Sequence, residues 1–194
     1  MADPRGPGDG GPALPPPVDA GPGPAPRPVP VRRPWRLGLG AAALVLVLDQ
    51  LSKVWILTQV MTPPRVIELA PFANLVLVWN TGVSFGIMND QGAWNAWILS
   101  GVSLAITAGL MVWLRRAENR FQGLLLGLVI GGALGNMVDR LRHGAVTDFI
   151  DLHGFGYHWP AFNVADAAIS TGAVLLIGET LFGRSGSGGA PRGR

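Results

Sequence analysis

The sequence predicts a membrane-embedded all-α core: four transmembrane helices, a small extramembrane β-sheet cradle, and a short helix or loop over a site at one end. Three observations predict it. Hydrophobic residues make up 48% of the 194 and charged ones only 14%, which is apolar matter for several bilayer spans and little for a separate soluble domain. Four apolar runs reach the ~20 residues that ~30 Å of hydrocarbon demands at ~1.5 Å per helical residue. Two stretches between those runs switch instead to β-favouring and aromatic residues. The formal charge of +3 is not in itself a nucleic-acid signal, because in such a chain the position of Lys and Arg reports membrane orientation. The absence of cysteine excludes a disulfide, a thiolate nucleophile, Cys-ligated metal and a Cys lipid anchor on this chain, so a catalytic nucleophile would have to be oxygen or water.

Residues 1–34 are Pro, Gly and Ala with scattered charge. Such a stretch buries too little apolar surface to offset its ordering entropy, and it is expected to be a disordered cytoplasmic tail acting as a spacer. Arg32, Arg33 and Arg36 followed by an apolar run imitate a signal peptide. The imitation fails where a small-residue cleavage site should stand, because Asp49-Gln50-Leu51-Ser52-Lys53 appears there and the chain continues apolar through Leu57. Residues 35–58 are therefore expected to be an uncleaved first span. Short β-favouring runs at 65–69 and 74–79 follow, then Asn80-Thr81-Gly82-Val83-Ser84-Phe85-Gly86, whose glycines suggest a sharp turn or a close approach. Span two is expected at 93–114 and span three at 121–141. In span three, Gly127, Gly131 and Gly135 recur every fourth residue, the pattern that lets another helix backbone approach. The second excursion, 143–160, carries Phe149, Phe155, Tyr157 and Trp159; span four is expected at 162–182, and 183–194 as a second disordered tail. Four spans put both termini on one side. Arg32, Arg33, Arg36, the basic 115–120 turn and Arg184, Arg192 and Arg194 make that side cytoplasmic.

Depth then groups the polar residues. Counted from the cytoplasmic ends, Asp49 and Lys53 lie ~20–27 Å up span one, and Asn136, Asp139 and Arg140 lie ~22–29 Å up span three. Asn163 and Asp166, one turn apart on one face of span four, come within ~6 Å of the same outer level, and Asp148 can reach it from the loop. Helix-to-helix glue explains any one pair, such as Asp49 with Lys53 or Asn136 with Arg140. A convergence of so many carboxylates, amides and cations at one depth favours a site. Two carboxyls at the membrane edge can share a proton as acid and base, the chemistry of an aspartic protease, which requires no metal or cofactor. Asp148 and Asp166 are the candidate pair, with Asp151 competing for the loop position.

Five blocks give a family resemblance. Asp49-Gln50-Leu51-Ser52-Lys53, the Asn80 to Gly86 run, Gly135-Asn136-Met137-Val138-Asp139-Arg140, Gly144-Ala145-Val146-Thr147-Asp148-Phe149-Ile150-Asp151 and Phe162-Asn163-Val164-Ala165-Asp166 resemble, in order, the signature blocks of bacterial lipoprotein signal peptidases (signal peptidase II). The resemblance covers residues 37–182. It implies a monomeric aspartic endopeptidase of the bacterial inner membrane, its active site at the outer face. Such an enzyme removes signal peptides from diacylglyceryl-modified prolipoproteins by cutting before the lipidated cysteine. It implies Asp148 and Asp166 as the catalytic pair, with Asp151 outside it. Asn80, Gly82, Asn136, Arg140 and Asn163 match positions lining the substrate groove, and Asp49, Lys53 and Asp139 match supporting polar positions. It also implies that the first excursion forms the sheet and the second carries a short helix over the site. The implied partners are the prolipoprotein and membrane lipid, with no nucleic acid. Two rivals remain for the residues themselves. Gly82-Val83-Ser84-Phe85-Gly86 spells the G-x-S-x-G serine elbow but lacks a soluble α/β sheet around it. A non-enzymatic scaffold or transporter subunit would want a polar path across the membrane, whereas the inner halves of spans one and three are almost wholly apolar.

Overall fold

The computed structural model describes residues 33–82 and 92–182. Residues 1–32 and 183–194, most of the two expected tails, and Val83 to Gly86 of the G-x-S-x-G match lie outside the described residues. Among the described residues are four helices long and apolar enough to cross a membrane: α1 (Pro34–Trp55, its last turn widening through Ile56–Val60), α2 (Gly92–Arg115), α3 (Arg120–His143) and α4 (Val164–Phe182). Pro34 opens α1, where its missing N–H has no helical partner to lose. Asn119 caps α3 by accepting from the Gln122 N–H at 2.8 Å, and Gly144 ends it in the left-handed region, φ 74°, donating to the Arg140 carbonyl.

α3 is the central helix, packed against each of the other three. Leu125, Leu126 and Ile130 of α3 meet Ala42, Leu114 and Leu176 in a buried cluster at the end remote from the sheet. α1, α2 and α4 turn large apolar side chains outward, among them Leu44, Leu51, Trp97, Ile106, Val174 and Ile177. This is the surface a bilayer wants. The glycine repeat of α3 explains the close packing. A Cβ on Gly127 would collide with the Gly38 carbonyl, and one on Gly131 would stand 2.5 Å from the Ala42 oxygen and 2.9 Å from its Cα. Gly135 departs from this pattern, for it makes room for a side chain, the Asp49 carboxylate, 2.5 Å from where its Cβ would be.

The sheet differs from the expectation in its ownership. β1 (Ile67–Ala70) and β2 (Ala73–Asn80) come from the first excursion, but β3 (Val146–Gly154) and β4 (Tyr157–His158) come from the second. All four pair antiparallel in the order β1-β2-β3-β4. The short helix expected over the site in the second excursion is absent between His143 and Val164. The run Val146-Thr147-Asp148-Phe149-Ile150 is β-branched and aromatic, and β2 offers it a free edge along Asn74, Leu75, Val78 and Asn80. Beneath the sheet Phe149 joins Ile56 and Met61 in a second buried cluster.

Gly131→Ala should push α1 from α3 and lower stability by about 1–3 kcal/mol. Gly40→Ala, where nothing lies within 4 Å of the new methyl, should leave the unfolding temperature in detergent within a degree or two.

Candidate active site

At the sheet end of the bundle a buried ammonium organises three elements. Lys53 Nζ lies 2.9 Å from Asp49 Oδ2, 3.0 Å from Asp139 Oδ2 and 3.1 Å from Asn136 Oδ1. An ammonium has three N–H donors, and each finds an acceptor. Each acceptor passes the constraint on. Asp49 Oδ1 accepts from the Ala165 N–H of α4 at 3.0 Å, and Asp139 Oδ2 from the Thr147 N–H of β3 at 2.9 Å. With Asn136 Oδ1 committed to Lys53, its Nδ2 faces the other way and donates to Asp166 Oδ1 at 2.7 Å.

Asn163 ties the two candidate aspartates together. Its Nδ2 donates to Asp148 Oδ1 at 2.6 Å and to Asn136 Oδ1 at 3.2 Å. Its Oδ1 accepts from the Asp166 N–H at 2.9 Å, while Asp166 Oδ2 accepts from the Asn163 N–H at 3.2 Å. That reciprocal pair is a capping box on the first turn of α4, with Asp in the place usually held by Glu or Gln. Asn80, at the end of β2, donates its Nδ2 to Asp148 Oδ2 at 2.9 Å and accepts from the Gly82 N–H at 2.8 Å. Gly82 itself takes φ 80°, where a side chain would be strained and would run into Leu99. Arg140 stands in the electrostatic reach of Asp166, Asp148 and Asp139, and its Nε is buried without a hydrogen-bond partner.

Asp148 and Asp151 are separated by strand geometry. Residues three apart on a strand point to opposite faces. Asp148 faces Asn80 and Asn163, whereas Asp151 accepts from Asn74 Nδ2 at 3.0 Å and meets His158 Nδ1 at 2.9 Å. The hydrogen bond from His158 holds the Asp151 carboxyl below the usual carboxylate range, while burial pushes Asp148 the other way, up to about 6. At Asp148 the Asn80 and Asn163 donors and the more distant Lys53 charge oppose the rise, and the negative charge of Asp166 adds to it.

All ten sequence-predicted site residues therefore fall in one region: Asp148 and Asp166 with Asn80, Asn136 and Asn163 around them, Gly82 and Arg140 alongside, and Asp49, Lys53 and Asp139 behind. Sequence reasoning gave Gln50 no role, yet its Nε2 contacts Asp139 Oδ1 at 3.1 Å and the Gly135 carbonyl at 3.2 Å. Its only signal was its place between Asp49 and Lys53 in an otherwise apolar helix. A groove of about 620 Å³ opens beside the carboxylates, lined by Asn80, Trp159, Phe162, Asp166, Ser170 and Thr171 among others. Among the described residues no three His, Asp or Glu side chains form a group able to hold a metal ion.

Four spans with a carboxylate and amide cluster opening to a groove at one end define a multi-pass membrane enzyme. The chain belongs to the signal peptidase II family: the family model described as Signal peptidase (SPase) II matches residues 41–182. The lipoprotein signal peptidase of Methylorubrum extorquens is 50% identical over 150 residues, covering 76% of this chain and 86% of that protein. That of Burkholderia thailandensis is 42% identical over 149 residues, covering 76% and 87%. Two solved bacterial membrane enzyme structures share the fold. One has a TM-score of 0.67 at 30% identity, over 79% of this chain and 93% of that one. The other has a TM-score of 0.65 at 32% identity, over 75% and 92%.

Lys53→Met would leave Asp49 and Asp139 buried without their cation. It should destabilise the protein by about 3–5 kcal/mol, read as a fall in thermal unfolding temperature in detergent.

Proposed function

We propose that this chain is an aspartic endopeptidase that removes signal peptides from diacylglyceryl-modified prolipoproteins, cutting before the lipidated cysteine, with Asp148 and Asp166 as its catalytic pair. The observation that carries the reading is Asn163 joining two carboxylates from separate elements beside an open groove, Asp148 through its side-chain amide and Asp166 through its backbone N–H. Membership of the signal peptidase II family, and relatives named lipoprotein signal peptidase, supply the substrate class. The site works at the outer face of the bacterial inner membrane, both termini being cytoplasmic, and the protein acts as a monomer on substrates whose acyl chains stay in the lipid.

In the reaction Asp166 takes a proton from water as the water oxygen bonds to the scissile carbonyl carbon, and Asp148 gives its proton to the carbonyl oxygen. As the tetrahedral gem-diol collapses and the C–N bond breaks, Asp166 gives its proton to the leaving nitrogen and Asp148 takes one from a gem-diol hydroxyl, so that the two carboxyls again share one proton. The assignment follows from Asp148 holding its proton to about 6 under burial. Arg140 and the Asn80 to Gly82 turn bind the substrate's peptide backbone. Asn136 and Asn163 keep the carboxyls in place. Asp49, Lys53 and Asp139 hold those amides.

In gel-shift cleavage of a purified diacylglyceryl prolipoprotein, Asp148→Asn and Asp166→Asn should each lower the rate by at least ~10³-fold. Chelator and Ser84→Ala should leave substantial activity; full activity in either aspartate variant would sink the pair. The pH profile of kcat/KM tests the assignment separately. An acid must be protonated, so the alkaline limb should fall near pH 6. Asn80→Ala removes a donor that favours the ionised Asp148, so its limb should move to higher pH, and a shift downward would reverse the roles.

A further inference from the structure

The groove does not stop at the carboxylates. It continues along α4 past Ala167 to Ser170 and Thr171, which line it together with Asp166. Ser170 stands four residues beyond Asp166, on the same helical face and ~6 Å further along the axis, toward the middle of the membrane. Both side chains are exposed. In apolar surroundings a hydroxyl is ordinarily satisfied by a backbone carbonyl of the preceding turn. Ser52, Thr58 and Thr180 do this, donating to Asp49, Val54 and Leu176 carbonyls at 2.7, 2.8 and 2.8 Å. Ser170 and Thr171 have no such bond. Ser100, Ser103 and Thr107 of α2 also lack one, but Ser100 and Thr107 are buried and half-buried Ser103 does not line the groove. Two unpartnered hydroxyls thus open into the groove, one turn below the carboxylates.

The chemistry of a lipidated cysteine matches that depth. Passing from the scissile bond toward the bilayer, the side chain runs through a thioether to a glycerol unit bearing two ester carbonyls, and only then to the acyl chains. Ester carbonyls are acceptors with no hydrogen of their own, and Ser170 and Thr171 offer donors. We infer that Ser170 and Thr171 form a subsite that hydrogen-bonds the ester carbonyls of the substrate's diacylglyceryl group, so that the enzyme reads the ester linkage as well as the apolar chains. The inference rests on the function proposed above. The hydroxyls touch no reacting atom; they set affinity.

The test compares two synthetic prolipopeptides of one sequence, a diacyl diester and its dialkyl diether, which keeps the chains but lacks the carbonyls. The wild-type enzyme in detergent should show a KM about 5- to 10-fold lower for the diester, the scale of one or two hydrogen bonds. Ser170→Ala/Thr171→Val should raise the diester KM by the same factor, leave the diether KM unmoved and hold kcat within about twofold. Both positions are exposed on a helix, and single Ser170→Ala serves if the double variant unfolds earlier. Equal KM values for the two lipids with wild type, or an equal loss on both lipids in the variant, would overturn the subsite while leaving the peptidase intact. Failure of wild type to cut either lipopeptide would instead remove the peptidase reading, and the subsite with it.

Discussion

The structure depends on one ammonium ion. Lys53 is buried among Asp49, Asp139 and Asn136, and in that position its charge is tolerable only because every N–H it carries is received. What makes the arrangement more than an ion pair is that none of the three acceptors ends there. Asp49 holds the start of α4 through the Ala165 N–H, Asp139 holds the start of β3 through Thr147, and Asn136 is turned so that its amide nitrogen reaches Asp166. Two helices, the helix bearing Asp166 and the strand bearing Asp148 are thus registered against a single side chain. Side chains presented from locked elements hold their geometry far better than side chains on free loops.

Close backbone packing supplies the other half of the constraint. Gly127 and Gly131 let α3 lie against α1 along the apolar half of the bundle, and Gly135, one turn further, gives that same space to the Asp49 carboxylate. One repeat thus serves lipid-depth packing over two of its members and the polar cluster at the third. Asn163 shows a similar economy, since its side chain caps α4, donates to Asp148 and donates to Asn136. The amide orientations of Asn136 and Asn163 follow in turn from Lys53 and from the cap, so both donors point at carboxylates without depending on substrate.

Most of this was legible in the sequence, for particular reasons. The spans were visible because bilayer thickness fixes their length, and the depth of Asp49, Lys53, Asn136 and Asp139 because helical rise is constant; Lys53 and Asp139 do meet, at 3.0 Å. The choice between Asp148 and Asp151 was open to composition but not to a strand: once residues 146–154 are extended, alternation puts the two on opposite faces. Strand pairing between the two excursions was not legible, because pairing partners so far apart in the chain, such as Val78 with Asp148 and Asn80 with Val146, leave no local trace. The helix expected in the second excursion came from the family resemblance alone, and β3 and β4 stand in its place. Gln50 was hidden for another reason: a lone amide in an apolar helix says that it has a partner but not which one.

The sheet that joins the two excursions bears on how the protein is made. Asn80 arrives before α2 and Asp148 only after α3, and β2 and β3 can pair only when both excursions stand on the same side of the membrane. A chain caught with only one excursion across cannot pair β2 with β3, the strand that carries Asp148. The Asn80–Asp148 hydrogen bond therefore cannot form until β3 has followed α2 and α3 into place. The carboxylate cluster closes only when α4 joins as well, because Asn163 and Asp166 stand at its start, so a complete cluster records that every span lies the right way relative to the others.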